Sequence, residues 1–335
     1  MTIEHWLEAA CADAERRGVP ELTPLLETLA KATEALRADH AEFGAGAQDP
    51  ESRRQETEGV EPAWPAGLLA GPDGPTPRRL SPQDNSPGTA GSQTPSHLLT
   101  ITELAPKIAS GEVSSVALTE ACLAEIQARS DELRAFITVC ADEAIAHART
   151  ADEETRQGVN RGPLHGIPIS LKDLIDQRGT PTTAASRVRD GHVAADDAPV
   201  TARLRAAGAV LVGKTNLHEF AFGTTSEDSA YGAVRHPLDP SRSPGGSSGG
   251  SAVAVATGMS VASVGTDTGG SIRIPSAACG LVGLKPAWNE IPTDGVVPLS
   301  WALDHVGPLA RSVRDAWILY LVLRGEAVAA RWPMP

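Results

Sequence analysis

Between Ser243 and Arg273 the chain reads SPGGSSGGSAVAVATGMSVASVGTDTGGSIR, which sets serines in two separate glycine clusters. Glycine lets a backbone come close to a reacting carbonyl, and it leaves main-chain N–H groups open to bind an oxyanion. Serines presented in such turns suit acyl transfer, and this constraint organises the rest of the reading.

The first cluster, residues 245–251, admits three readings. A flexible Gly/Ser linker is disfavoured by the compact apolar run Ala252 to Thr257 that follows it directly. A phosphate-cradling loop needs a Lys-Ser or Lys-Thr pair after its last glycine, whereas Gly250 is followed by Ser251 and Ala252. The third is a nucleophile elbow, because Gly245-Gly246-Ser247-Ser248-Gly249 satisfies G-x-S-x-G. In glycine-rich sequence so short a pattern is weak evidence by itself.

The second cluster, Gly265-Thr266-Asp267-Thr268-Gly269-Gly270-Ser271-Ile272-Arg273, decides between them when taken with Lys172 in Gly166-Ile167-Pro168-Ile169-Ser170-Leu171-Lys172-Asp173. Together these segments resemble the amidase signature family, and the resemblance runs from about Leu99 to Gly325. It implies a catalytic group made of a serine nucleophile, a bridging serine on a cis peptide bond, and a lysine. Carried onto this chain, Ser271 is the nucleophile, Ser247 the bridging serine and Lys172 the base. The backbone N–H groups of Thr268, Gly269, Gly270 and Ser271 form the oxyanion hole. The implied activity is hydrolysis of a carbon–nitrogen amide bond in a small molecule, through an acyl-serine intermediate and without a cofactor.

The same chemistry can be argued from the residues. A serine hydroxyl is a poor nucleophile until a nearby base takes its proton, and no histidine lies close in sequence to either cluster. A free lysine, with a pKa of about 10.4, is neutral at pH 7 in only roughly one molecule in 2,500. Burial lowers that pKa, and Ile167, Ile169, Leu171, Leu174 and Ile175 give Lys172 an apolar neighbourhood. In an extended strand Asp173 points to the opposite face, so its charge need not hold the proton on Lys172.

Neighbouring residues take supporting parts. Ser248 hydrogen-bonds within the relay or caps a helix expected from about Gly249 to Gly258. Asp267 and Arg273 are expected to pair and brace the nucleophile loop. Gly213-Lys214-Thr215-Asn216-Leu217-His218-Glu219-Phe220 also resembles the family, with Lys214 given a structural part only. Leu284-Lys285-Pro286 and Leu303 to Leu309 continue the likeness. At Ala287 and Asn289 the chain departs from the Thr and Gly usual after Lys-Pro, which bears on the local turn.

Composition narrows the function classes. A net charge of −13 argues against a broad phosphate-binding surface, so no direct nucleic-acid contact is expected. Cys11, Cys122, Cys140 and Cys279 are scattered without a C-x-x-C pair and read as reduced thiols of a cytoplasmic protein. His218-Glu219 lacks the second histidine of a zinc helix, and no metal is expected. The N-terminus is acidic and amphipathic rather than basic then apolar, and no run reaches the length of a membrane span.

Four segments are expected. Residues 1–42 read as two short helices broken at Gly18-Val19-Pro20, the second with Leu22, Leu25, Leu26, Leu29 and Leu36 on one face. That face docks on the main domain or on a partner. Residues 43–96 read as a disordered Pro/Gly/Ser-rich linker, with Trp64 and Leu68-Leu69 as transient contacts. Residues 97–325 read as an α/β domain, a mixed central sheet covered by helices on both faces. Its expected elements are a helix over Ser115 to Ala128, a strand over Ile167 to Leu171, a helix over Pro199 to Ala207, a strand over Ala209 to Val212, and a helix over Val313 to Arg324. Residues 326–335 form an irregular tail.

Members of the family usually continue for well over a hundred residues beyond that last helix, so the chain reads as a truncated member of reduced stability and activity. An uncovered sheet edge then calls for a homo-oligomer or a partner subunit. Three alternatives stand beside the amidase reading. One is a catalytically inactive paralogue acting by binding. Another is a glutaminase-type subunit of an aminoacyl-tRNA amidotransferase. The third is an α/β-hydrolase esterase using Ser247 or Ser248, with the Asp304-His305 region as base.

Overall fold

A computed structural model describes residues 94–326 and 328, together with the isolated helical positions Leu7, Glu8, Cys11, Ala12, Glu15, Thr23 and Glu27. The chain divides into two units, Met1–Pro87 and Gly88–Pro335. The leucine face of the second N-terminal helix, the linker up to Gln93 with Trp64 and Leu68-Leu69, and most of the C-terminal tail lie outside the described residues.

Within the second unit the helices are α1 (Ile101–Ala109), α2 (Ser115–Leu133), α3 (Ala141–Arg156), α4 (Pro199–Ala206), α5 (Gly249–Thr257), α6 (Arg273–Ala278) and α7 (Val313–Arg324). The strands are β1 (Phe136–Val139), β2 (Pro168–Lys172), β3 (Val210–Thr215), β4 (Ala262–Asp267), β5 (Val282–Gly283) and β6 (His305–Ala310). They form one sheet in the order β1-β3-β2-β4-β6-β5. Strand β2 runs parallel to β3 and β4, whereas β1, β5 and β6 pair antiparallel to their neighbours. The sheet is therefore mixed, as expected.

Strands β2, β3 and β4 are buried along their whole length, which explains why they read as continuous rather than alternating apolar runs. Alternation survives in which core each side chain enters. Leu211 packs with Ile101, Leu204 and Leu319 of α1, α4 and α7, while Val210 and Val212 pack with Ala144 and Val253 of α3 and α5. Helices thus cover both faces. Helix α2 runs past its expected end at Ala128 because Leu133 stays buried, and it closes where Arg134 takes φ +50°.

Helix ends are pinned by carboxylates from distant sequence. Asp315, fully buried in α7, accepts from the amides of Ile101 and Thr102 at 3.1 Å each and from Thr102 Oγ1 at 2.8 Å. Asp152 accepts from the amides of Ser115 at 2.7 Å and Val116 at 3.1 Å. Such bonds satisfy N–H groups that the helix itself cannot. The turn after Lys285-Pro286 is also closed, with the Ala287 amide donating to Glu290 Oε2 at 3.0 Å. Asn289 there adopts φ +64°, a region that asparagine tolerates better than most L-residues.

Asp315→Ala should leave the buried Ile101 amide unpaired and lower unfolding stability by about 1–3 kcal/mol, measured by urea denaturation.

Candidate active site

Lys172 is the last residue of β2 and is fully buried. Its Nζ donates to Ser247 Oγ at 2.7 Å and to Thr266 Oγ1 at 2.8 Å. Among the described residues no carboxylate lies within ion-pair distance of it. Burial lowers its pKa from the ordinary lysine value to about 7, against the opposing pull of Asp267 and Asp304. An amine in that range exchanges its proton near neutral pH, which is what a base for serine needs.

Ser247 follows a cis peptide bond between Gly246 and Ser247 and is itself fully buried. It stands just before the N-terminus of α5. No strand leads directly into this turn, since β3 ends at Thr215, so the strand-turn-helix setting of a nucleophile elbow is absent here. Nor, among the described residues, does a hydrogen bond join His305 to Ser247 or Ser248; His305 Nδ1 donates to the carbonyls of Leu303 at 2.7 Å and Asp267 at 3.3 Å.

Ser248 does not cap α5. Its Oγ donates to the Thr266 carbonyl at 3.1 Å, and its amide donates to the Ser271 carbonyl at 3.2 Å. The capping alternative is thereby replaced by a tie between the two serine loops. Ser271 lies between β4 and α6 and is 6% exposed, whereas Lys172 and Ser247 have no exposed surface. The structure brings Lys172 and Ser247 into contact. It records no hydrogen bond from Ser271 Oγ to Ser247 or to any other described residue.

The loop carrying Ser271 is organised by Asp267. Its carboxylate accepts from the amides of Gly270 at 2.8 Å and Ile272 at 3.1 Å, and pairs in two-pronged fashion with Arg273 at 3.0 and 2.9 Å. Burial alone would raise its pKa, but the Arg273 guanidinium and these amides outweigh that and hold it below the ordinary aspartate value. The expected bracing pair is present. Of the four amides expected to form an oxyanion hole, that of Gly270 is thereby engaged by Asp267. Thr268 is fixed in turn by its Oγ1 donating to Asp304 Oδ1 at 2.5 Å, while Asp304 Oδ2 accepts from the amides of Leu299 and Ser300.

Two contacts could not be read from the sequence. Thr266 supplies the second hydroxyl on Lys172. Lys214, on β3 opposite Leu171, is fully buried with its Nζ 3.0 Å from Asp173 Oδ1, and also donates to the Pro181 carbonyl at 3.2 Å and Thr182 Oγ1 at 3.0 Å. Asp173 Oδ2 accepts from the Thr183 amide at 3.0 Å and Thr183 Oγ1 at 2.5 Å. The acid next to Lys172 therefore has its own cation.

A family model described as Amidase matches residues 117–330. A glutamyl-tRNA(Gln) amidotransferase subunit from Chloroflexus aurantiacus is 50% identical over 230 residues, 69% of this chain and 47% of that relative. The same-named protein of Streptomyces coelicolor is 46% identical over 228 residues, 68% of this chain and 46% of that relative. Among solved structures, native peptide amidase from Stenotrophomonas maltophilia aligns at 44% identity and TM-score 0.64, over 67% of this chain and 47% of that one. The chain spans about half the length of the curated relatives it matches.

Lys214→Met should destabilise the fold by about 3–5 kcal/mol by leaving a buried carboxylate unpaired. Adding Asp173→Asn should recover most of that loss, which a double-mutant cycle from urea unfolding would read out.

Proposed function

Because the chain belongs to the amidase family, we propose that it hydrolyses a carboxamide through an acyl-serine intermediate, with Ser271 as nucleophile, Ser247 as proton bridge and Lys172 as base. The observation that carries this reading is the fully buried Lys172 amine, 2.7 Å from the Ser247 hydroxyl and with its pKa lowered to about 7.

In the neutral form Lys172 keeps an N–H for Thr266 Oγ1 and turns its lone pair toward the Ser247 hydroxyl. As Ser271 Oγ attacks the amide carbon, its proton passes to Ser247 Oγ while the Ser247 proton passes to Lys172 Nζ. Charge that develops on the carbonyl oxygen is met by the amides of Thr268, Gly269 and Ser271, held in place by Asp267 and Asp304. In another serine enzyme, losing one such donor cost about 2.7–4 kcal/mol of transition-state stabilisation. Collapse of the tetrahedral intermediate breaks the C–N bond, and the leaving nitrogen takes a proton back through Ser247. Water then attacks the ester by the same relay in reverse. The Ser247 to Ser271 link must form for this sequence to run, and catalytic hydrogen bonds commonly tighten only in the substrate complex.

The names of the curated relatives favour a second reading within the same chemistry, a glutaminase subunit that supplies ammonia to an aminoacyl-tRNA amidotransferase. With a net charge of −13 the chain would leave tRNA to partner subunits.

Treatment with a serine-acylating fluorophosphonate, followed by intact mass and peptide mapping, tests the common core of both readings. An adduct on Ser271 is expected, slowed about 10²–10⁴-fold in Lys172→Ala and in Ser247→Ala. Since the neutral amine is the active form, the labelling rate should rise with pH through a midpoint near 7. A folded protein that takes no adduct would mean a non-catalytic paralogue. An adduct on Ser247 or Ser248 would mean the elbow.

A further inference from the structure

The carbonyl of Ser247 is held as firmly as its hydroxyl. It accepts from Ser226 Oγ at 3.1 Å and from the His218 amide at 3.2 Å, both on a segment that takes no part in the relay described above. Ser226 is fully buried, and its Oγ also accepts from the amide of Gly249, the first residue of α5, at 3.1 Å. Since Ser248 provides no side-chain cap, Ser226 caps α5 from a distant part of the chain. Its hydroxyl thus bonds the backbone on either side of Ser248, at the Ser247 carbonyl and the Gly249 amide.

The glycines of the first cluster make room for this grip. A Cβ on Gly246 would lie 2.7 Å from Ser226 Oγ and 2.8 Å from the Ser226 amide nitrogen. One on Gly249 would lie 2.5 Å from Ser226 Oγ and 2.7 Å from its Cβ. Real carbons do not approach so closely, so both positions must lack a side chain while Ser226 is where it is. Ser226 in turn takes φ +58° and is anchored by the Val234 amide, which donates to its carbonyl at 2.9 Å. A serine is thus held in a conformation that favours glycine.

We propose that Ser226 is a positioning residue of the proton relay, an inference that rests on the assignment of Lys172, Ser247 and Ser271 above. The Ser247 Oγ is one rotatable bond from its backbone, so whatever fixes the backbone of Ser247 confines its hydroxyl to a few rotamer positions, one of which meets Lys172 Nζ at 2.7 Å. Ser226 is the only side chain among the described residues that bonds the Ser247 carbonyl.

The test is the saturation kinetics of fluorophosphonate labelling at Ser271, per folded molecule, in wild type and in the variants Ser226→Gly, Ser226→Ala and Ser226→Cys. Glycine suits φ +58° and removes the hydroxyl without adding bulk, so this variant should fold even if the alanine variant does not. The expected result is a maximal labelling rate lowered about 10–100-fold in the glycine and alanine variants, with the half-saturating probe concentration unchanged. Cysteine, of similar size and a weak donor, should restore part of the rate. A folded Ser226→Gly protein that labels as fast as wild type would overturn this proposal alone and leave Ser226 a helix cap. A wild-type chain that takes no adduct on Ser271 would overturn the relay assignment itself, and this proposal with it.

Discussion

Everything at this site depends on burying one amine without a partner acid. Taking a lysine out of water disfavours its charged form, and the pKa of Lys172 falls to about 7 because desolvation outweighs two carboxylates in the vicinity. The surroundings keep those two carboxylates, and that of the adjacent Asp173, occupied. Asp267 is committed to Arg273 and two loop amides, Asp304 to Thr268 and two further amides, and Asp173 to Lys214. Lys172 is left with two neutral hydroxyls.

The sheet supplies the geometry. Strands β2 and β4 are adjacent and parallel, so their carboxyl ends fall on the same edge, which is where parallel sheets commonly place ligand chemistry. One end delivers Lys172 and the other delivers Thr266, Asp267 and the loop to Ser271. Helix α5 packs beside both strands, and its N-terminus brings Ser247 and Ser248 between the two ends. Ser226 fastens that N-terminus from outside.

What could be read from sequence was what local chemistry decides. The strand carrying Lys172, the helix after Ser248 and the final helix at Val313–Arg324 all carry their apolar pattern and stop signals in consecutive residues. Ser247 and Ser271 stand out because glycine clusters mark turns. What sequence could not reveal is set by strand register or distant contact. Lys214 meets Asp173 only because β3 lies opposite β2 with Leu171 beside Lys214. Thr266 reads as an ordinary β-branched strand residue until β4 is set beside β2. Strand β6 contains Gly307 and Pro308, which argue against a strand, yet its ladder to β4 runs through both, and the Pro308 carbonyl accepts from the Leu284 amide just past β5. The glycines at 246 and 249 mark a close approach in the sequence, but only the structure shows that Ser226 makes it.

The protonation state of Lys172 is the quantity on which the relay stands, and it can be followed directly by NMR of selectively labelled lysine side chains, with the resonance assigned through Lys172→Arg. A midpoint near 7 would show an amine able to accept a proton at neutral pH. A midpoint near the ordinary lysine value of about 10.4 would mean the amine stays charged there, and the relay would fail at its first step.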